Sequence, residues 1–293
     1  MKILIFLKKW AGGVGTVIEG VQKELEKKGH NVIIVSREDD LKLFSSFKHL
    51  FSLRKIYKRL IKKHKPDVIY TQDWSMALPL ILPFRLYFSK HFCCYHGNEP
   101  GFPKIFQDFV GRVFGKKLIV VASSLKKRFP KSNLVCNRAN TNLFSPSKKI
   151  KRVKGTVGFA NWVSEEYNFS EIKKAVEDAG LKLVIAEGIS KQEMPKFFNK
   201  VEYFITLPPT YAGFGLVALE AMASGVPKIV SSNYGGADSL PITKIEDNGG
   251  SVLNALRNAK SEDYRGWILQ NKFTWEDAVE TLIDLFEKGG RNV

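Results

Sequence analysis

Short apolar runs and amphipathic stretches take turns along this chain of 293 residues. KILIF, NVIIV, DVIY, HFCCY and LIVVA are continuous apolar runs, the pattern of strands buried on both faces. Between the first two, GTVIEGVQKELEKKG repeats Val17, Val21 and Leu25 at fourfold spacing, which predicts a helix that Gly29 ends. The pattern then restarts, with GTVGFA, LKLVIA, EYFIT and PKIVS as strands separated by FSEIKKAVEDAG and KQEMPKFFNK. Between the two series lies NRANTNLFSPSKKIKRVK, a polar, basic, proline-containing linker region. Strand–helix–strand order with fully apolar strands predicts parallel sheets covered by helices. The expected fold class is α/β, with two doubly wound domains and a cleft between them. The expected boundaries are 1–140, 141–272, and a C-terminal helix over 273–293 that packs back toward the first domain. Ligands of such sheets bind outside the carboxyl ends of the strands.

Composition changes this picture little. Hydrophobic residues make up 44% of the chain, enough to bury a core. The longest apolar run, MALPLILPF, is broken by proline and too short to cross a bilayer. MKILIFLKKWAGG has its charges after a short apolar run, so it reads as a first buried strand rather than an export signal, and the expected location is the cytoplasm. Cys93, Cys94 and Cys136 form no metal-binding spacing and read as reduced thiols.

Charge changes it more. The net charge is +17, and residues 1–140 hold 27 Lys and Arg against 10 Asp and Glu, while residues 141–293 hold 19 of each. All of the excess lies in the first half, which points to an anionic partner for it: nucleic acid, phospholipid headgroups or an acidic substrate. LFSLRKIYKRLIKKHK divides into an apolar face of Leu50, Leu53, Ile56, Tyr57, Leu60 and Ile61 and a basic face of Arg54, Lys55, Lys58, Arg59, Lys62 and Lys63. Such a face is either solvated or set against anionic lipid, to which six cations could hold a protein peripherally. Nucleic acid is the weaker rival, because no motif for it is present.

Two segments join a strand to a glycine-rich helix start. In FLKKWAGGVGTVIEG, Gly12 and Gly13 let a ligand approach the backbone where helix N–H groups are free. The spacing is not that of a dinucleotide fold, and a tight turn explains it equally well. In TYAGFGLVALEAMASGVPKIVSS, Gly213 and Gly215 bracket Phe214 before a helix expected to start near Leu216 and stop at Ser224-Gly225. Glu220 lies one turn in, beside the packed stripe of Leu216, Leu219 and Ala223, where a carboxylate needs hydrogen-bond donors. Periodicity alone fits a solvated Glu.

GFGLVALEAMASGVPKIVSSNYGG resembles the signature of the retaining glycosyltransferases of family 4, which have the GT-B fold of two Rossmann-like domains. GGVGTVIEGVQKELEKKGHNVIIVS, PDVIYTQDWSMALPL, YHG, NRANTNLFSP, LKLVIAEG, MPKFFNKVEYFITLPPT and FTWEDAVETLIDLFE continue the resemblance in order over nearly the whole chain. It implies transfer of a sugar, without a metal or other cofactor, from a UDP- or GDP-linked donor to a lipid-linked or other anionic glycan acceptor, peripherally at the inner face of the cell membrane. It implies a donor site of Gly12, Gly13, Asn161, Glu187, Gly188, Gly213, Phe214, Gly215, Leu216 and Glu220, with Glu220 on the ribose hydroxyls. It places His96 against the transferred sugar and Asp73 toward the acceptor.

The chain departs from that family at several points. Family members carry a first glutamate just before Gly-Phe-Gly, where Ala212 stands here. They carry a diphosphate-binding arginine where this chain has Phe159, and a histidine where it has Thr71. A strand and loop that usually hold the nucleotide base are missing between IAEG and SKQEMPKFF. The diphosphate would then rest on main-chain amides, with Lys228 and Arg138 as candidate cations. These departures keep three rivals open: a silent relative that binds a nucleotide or partner, a GT-B enzyme of another reaction type, and a basic binding module.

Overall fold

The computed structural model describes residues 1–8, 12–36, 47–82, 87–209, 211–212, 214–234, 236–245 and 251–291. The chain divides into two compact units, Met1–Cys136 with Glu276–Val293, and Asn137–Trp275.

The first unit is built on β1 (Lys2–Leu7), α1 (Gly12–Lys27), β2 (Asn31–Ser36), α2 (Phe47–His64), β3 (Val68–Gln72) and α3 (Trp74–Ile81). It continues through β4 (His91–Tyr95), α4 (Pro103–Phe114), β5 (Leu118–Val120), α5 (Ser123–Arg128) and β6 (Asn133–Leu134). All of its strands pair in parallel, in the order β2-β1-β3-β4-β5-β6. The apolar runs are the reason, since β1, β3, β4 and β5 are covered on both faces and almost every side chain in them is buried.

α3 is apolar all round, WSMALPLI, and is buried between α2 and α4. Tyr57 of α2 reaches Met76 of α3, and Trp74 of α3 stacks on Phe106 of α4 with ring centroids 5.4 Å apart. On α2, Leu50, Leu53, Tyr57 and Ile61 are buried and Ile56 and Leu60 partly so, which is the apolar face the spacing predicts. Most of α11 (Trp275–Arg291) belongs to this unit. It buries Ala278, Val279, Leu282 and Phe286, and the Phe286 ring meets Tyr70 and Phe92 edge-on.

The second unit comprises β7 (Val153–Phe159), α6 (Phe169–Asp178), β8 (Lys182–Ile185), α7 (Met194–Lys200), β9 (Val201–Thr206) and α8 (Leu216–Ala223). It ends with β10 (Lys228–Ser232), β11 (Thr243–Ile245), α9 (Val252–Asn258) and α10 (Tyr264–Gln270). The strands are again parallel, ordered β11-β10-β9-β7-β8. Its core gathers Val157, Phe159, Ile172, Val176, Ile205 and Val230.

Both sheets therefore share one winding. In each, the first strand has the second on one side and the third on the other, so the chain reverses direction across the sheet at β1/β3 and at β7/β9. Such switch points, at the carboxyl ends of the strands, are where doubly wound sheets open a crevice for ligands.

Candidate active site

At the first switch point, α1 begins at Gly12, whose φ is +76°. Nothing lies within 4 Å of where a Gly12 side chain would project, so Gly12 and Gly13 stand exposed within the first helical turn rather than in a loop before it. The N–H groups of that turn have no partner within the helix.

Across the same rim, Asp73 follows β3 and His96 follows β4. Asp73 has φ 81° and ψ 158°, a backbone region that is essentially glycine's. Three contacts hold it there. Its N–H donates to the Cys94 carbonyl at 2.7 Å, its carboxylate accepts from Trp74 N at 2.6 Å, and its carbonyl accepts from Cys93 Sγ at 3.6 Å. Burial pushes the Asp73 carboxyl up to about 7, helped by the neighbouring charge of Glu99 and opposed by the Trp74 amide.

His96 Nε2 lies 2.8 Å from Gln72 Oε1. Burial depresses this imidazole to about 4, so it is neutral near physiological pH. The Gly97–Glu99 turn after it is fastened from below: buried Gln107 donates to Gly97 O at 2.7 Å and accepts from Glu99 N at 3.1 Å. Arg128 braces Gln107 and Asn98 while pairing with Asp108. Glu99 in turn accepts from Trp74 Nε1 at 3.3 Å. Gln72, Glu99, Gln107 and Arg128 were not singled out from sequence, because their roles rest on contacts 8 to 30 residues apart. Thr71, at the family's histidine position, is fully buried against His91 and the Phe92 carbonyl, away from the rim.

In the second unit the switch point is marked by a hydrogen bond of 2.7 Å from Thr206 Oγ1, at the end of β9, to Asn161 Oδ1, after β7. α8 begins at Leu216, and its N-cap Gly215 offers no side chain to the first-turn N–H groups. Glu220 lies one turn in and is half-buried. No described residue donates a hydrogen bond to its carboxylate, and burial pushes that carboxyl up to about 7 against the pull of Lys191.

Phe214 turns inward. Its ring is buried against Phe273, and a side chain on Gly236 would lie 2.2 Å from it, so only the Phe214 backbone belongs to the rim. Glu187 and Gly188 are exposed after β8. Gly213 lies outside the described residues.

Two sequence expectations change. Arg54 leaves the basic face: it is half-buried and donates to the carbonyls of Pro79, at 3.1 Å, and Leu82, so it caps the end of α3. Lys55, Lys58, Arg59, Lys62 and Lys63 remain exposed. Lys228 opens β10 at the amino edge of its sheet, bound to Glu202 at 3.0 Å and Tyr203 Oη at 2.9 Å, so it is not at the carboxyl rim. Arg138 lies with the α8 entry: its guanidinium sits 4.2 Å from the Phe273 ring centroid, and the adjoining Asn137 donates to Phe214 O at 3.2 Å. Among the described residues there is no group of three or more His, Cys, Asp and Glu that could hold a metal, and no helix long and apolar enough to cross a membrane.

Comparison with known proteins decides the family. Residues 11–141 match Glycosyltransferase Family 4, and residues 152–292 match Glycosyl transferases group 1. The chain belongs to the family 4 glycosyltransferases. It is 26% identical over 132 residues to an alpha-1,3/1,6-mannosyltransferase of Candida glabrata, an alignment covering 45% of this chain and 27% of that protein. The chain thus spans about a quarter of that relative's length. An uncharacterized glycosyltransferase of Methanocaldococcus jannaschii is 22% identical, with 98% of each chain covered. Among solved structures, a sucrose-phosphate synthase of Thermosynechococcus elongatus superposes with a TM-score of 0.74 at 16% identity, covering 98% of both chains. Anabaena HepE in complex with UDP and glucose gives 0.67 at 14% identity, covering 98% of this chain and 100% of that one. The fold is GT-B.

Within this glycosyltransferase the departures have physical content. Phe159, at the family's arginine position, is fully buried against Phe169, so no cation can stand there without opening the core. Burying such a ring stabilises the fold by about 1.5–3 kcal/mol. Ala212 sits in a turn closed by its N–H on the Pro209 carbonyl at 2.9 Å. Between β8 and α7 there is no strand, only the short turn Ser190–Glu193.

Proposed function

We propose that this glycosyltransferase moves a hexosyl group from a UDP- or GDP-linked donor, with retention of configuration, to a lipid-linked or other anionic glycan acceptor. The observation that carries the reading is Glu220. A half-buried carboxylate with no described donor, one turn into a helix at the carboxyl rim, is suited to accept two adjacent hydroxyls, and a ribose supplies them. The complex of HepE with UDP and glucose supports a uridine nucleotide on this fold.

On this reading the second unit holds the nucleotide. Glu220 takes the ribose, the first-turn amides of α8 take the diphosphate, and Arg138 supplies a cation in place of the one lost at Phe159. Asn161, Gly188 and Glu187 line the donor side. In the first unit, the α1 amides at Gly12 and Gly13 add further donors for phosphate. His96 presents neutral Nδ1 to a sugar hydroxyl, and Asp73 faces the acceptor. The C1–oxygen bond to the diphosphate breaks while the acceptor oxygen bonds to C1 on the same face. The acceptor's proton passes to the leaving phosphate oxygen, so no side chain serves as base and no metal is needed. The exposed cations of α2 draw an anionic acceptor or membrane to the first unit, consistent with a cytoplasmic, peripheral protein.

Hydrolysis of UDP- and GDP-sugars tests the reading. Slow release of the free sugar by the wild type, lost in Glu220→Ala, is expected. No turnover of any donor, alongside intact nucleotide binding, would instead indicate a silent relative.

A further inference from the structure

The first unit has a cavity at the opposite edge of its sheet from Asp73 and His96. α2 leads into the amino end of β3, and its later turns contribute Lys55, Lys58, Arg59 and Lys62 to an open pocket of about 510 Å³. Lys65, in the turn entering β3, and Lys90, in the turn entering β4, complete the ring of cations. Ile61 and Tyr87 supply apolar wall, and no carboxylate lines it among the described residues. β3 separates this pocket from the Asp73 rim by about five residues at ~3.3 Å each, too far for one sugar to bridge.

An ordinary solvated helix face does not account for this arrangement. Lys62 and Lys63 complement the carbonyl end of α2, but Lys58 stands one turn and Lys55 two turns before Lys62, outside the last turn where that dipole acts. Lys55–Arg59 and Lys58–Lys62 are like-charged pairs four apart, which weaken a helix unless an anion lies between them. The two cations from outside α2 are held in place. Lys90 Nζ donates to the Pro66 carbonyl at 2.7 Å and lies 5.7 Å from the Tyr87 ring centroid. Lys65 takes φ 46° with its N–H on the Ile61 carbonyl at 2.8 Å. Cations from three separate segments thus converge on a single concavity.

We propose that this pocket binds a phosphate ester bearing at least two negative charges, presented either by a soluble compound or by a lipid headgroup. The pocket shares Lys55, Lys58, Arg59 and Lys62 with the α2 face taken above to draw an anionic acceptor or membrane, and to that extent rests on that reading, but it shares no residue with either carboxyl-end rim.

The test compares the full-length wild type with Lys58→Ala/Lys62→Ala, and with Lys104→Ala/Lys131→Ala, which removes the same charge from exposed positions outside the pocket and off α2. The probes are inorganic pyrophosphate, by calorimetry, and phosphatidylcholine vesicles with and without phosphatidic acid, by flotation. The pocket variant is expected to weaken binding of at least one probe about tenfold, the effect of removing two charge-assisted contacts, and the control less than about twofold. Loss with pyrophosphate alone assigns a soluble ligand, and loss of flotation reversed by pyrophosphate assigns a headgroup. Equal losses in the two variants would show a diffuse field and overturn the site. Retained binding in the pocket variant, or no binding of either probe by the wild type, would overturn it as well.

Discussion

His96 Nε2 stands 2.8 Å from the side-chain oxygen of Gln72, two elements that sequence separates by 24 residues and the sheet makes neighbours. With an amide oxygen as acceptor, Nε2 carries the proton and Nδ1 is left to accept. Burial keeps the ring neutral, its pKa depressed to about 4. The imidazole is therefore built as an oriented hydrogen-bond acceptor, not as a cation.

Gln72→Leu is expected to lower kcat roughly fivefold, because one orienting hydrogen bond is worth about 1 kcal/mol and the ring becomes free to turn. Gln72→Glu keeps an acceptor and adds a charge that favours imidazolium. It should retain more activity while introducing an acid-side inflection into the pH–rate profile. Identical losses in both variants, with no new inflection, would mean that Gln72 does not orient His96.

Asp73 stores backbone strain. Its φ of 81° with ψ 158° costs about 1–3 kcal/mol for a residue with a side chain. Asp73→Gly removes both carboxyl and strain, whereas Asp73→Ala removes only the carboxyl. The glycine variant is expected to be about 1 kcal/mol or more stable than the alanine variant in denaturant unfolding, with transfer impaired in both. Equal stability of the two would show that the backbone at this position is relaxed.

Stability should depend on pH through two opposing sets of groups. Glu220 and Asp73 keep their protons to about pH 7 in the folded state, whereas unfolded carboxyls release theirs at about pH 4. The folded state binds more protons in that window, so these groups remove stability as pH rises through it. His96 and His91 act in the other direction. Their folded values of about 4 and about 3 lie below the unfolded value of about 6.5, so stability falls as pH drops through that range. Glu220→Gln is expected to raise the melting temperature at about pH 8 and to change it little at about pH 4.5. A difference that is the same at both values would mean the carboxyl ionises normally in the folded protein.

Much of the architecture could be read from the residues. Continuous apolar runs identify β1, β3, β4 and β5 because both faces of a parallel sheet are buried, and Leu216 marks the start of α8 as its helical spacing predicts. Even the amino-edge position of Lys228 follows from its place at the head of PKIVS. Its partners Glu202 and Tyr203 do not, since they depend on which strand lies beside β10. Arg54 departs from the basic face because it borders the apolar stripe, one turn from Leu50 and Tyr57, and periodicity does not distinguish a snorkelling cation from a capping one. The strain at Asp73 and the contacts of Gln72, Glu99 and Arg128 have no local signal at all. They arise from the meeting of strand ends.

The placement of Lys228 has its own consequence. Lys228→Met breaks a half-exposed ion pair with Glu202 and the Tyr203 contact, so a loss of about 1 kcal/mol in stability is expected. Transfer at a temperature well below unfolding should be unchanged. Arg138→Met should instead weaken donor binding. A fall in donor affinity with Lys228→Met would place the phosphate cation at the wrong end of the sheet.

Calorimetric titration of UDP and GDP into the wild type and Glu220→Gln addresses the donor site most directly. One nucleotide is expected to bind the wild type and to bind the variant about tenfold or more weakly, the loss of a charge-assisted pair of hydrogen bonds to the ribose. Wild-type affinity should also fall from about pH 8 to about pH 6 relative to the variant, as the carboxyl gains its proton. Equal affinity in the two proteins, or no heat with either nucleotide at millimolar concentration, would contradict the account.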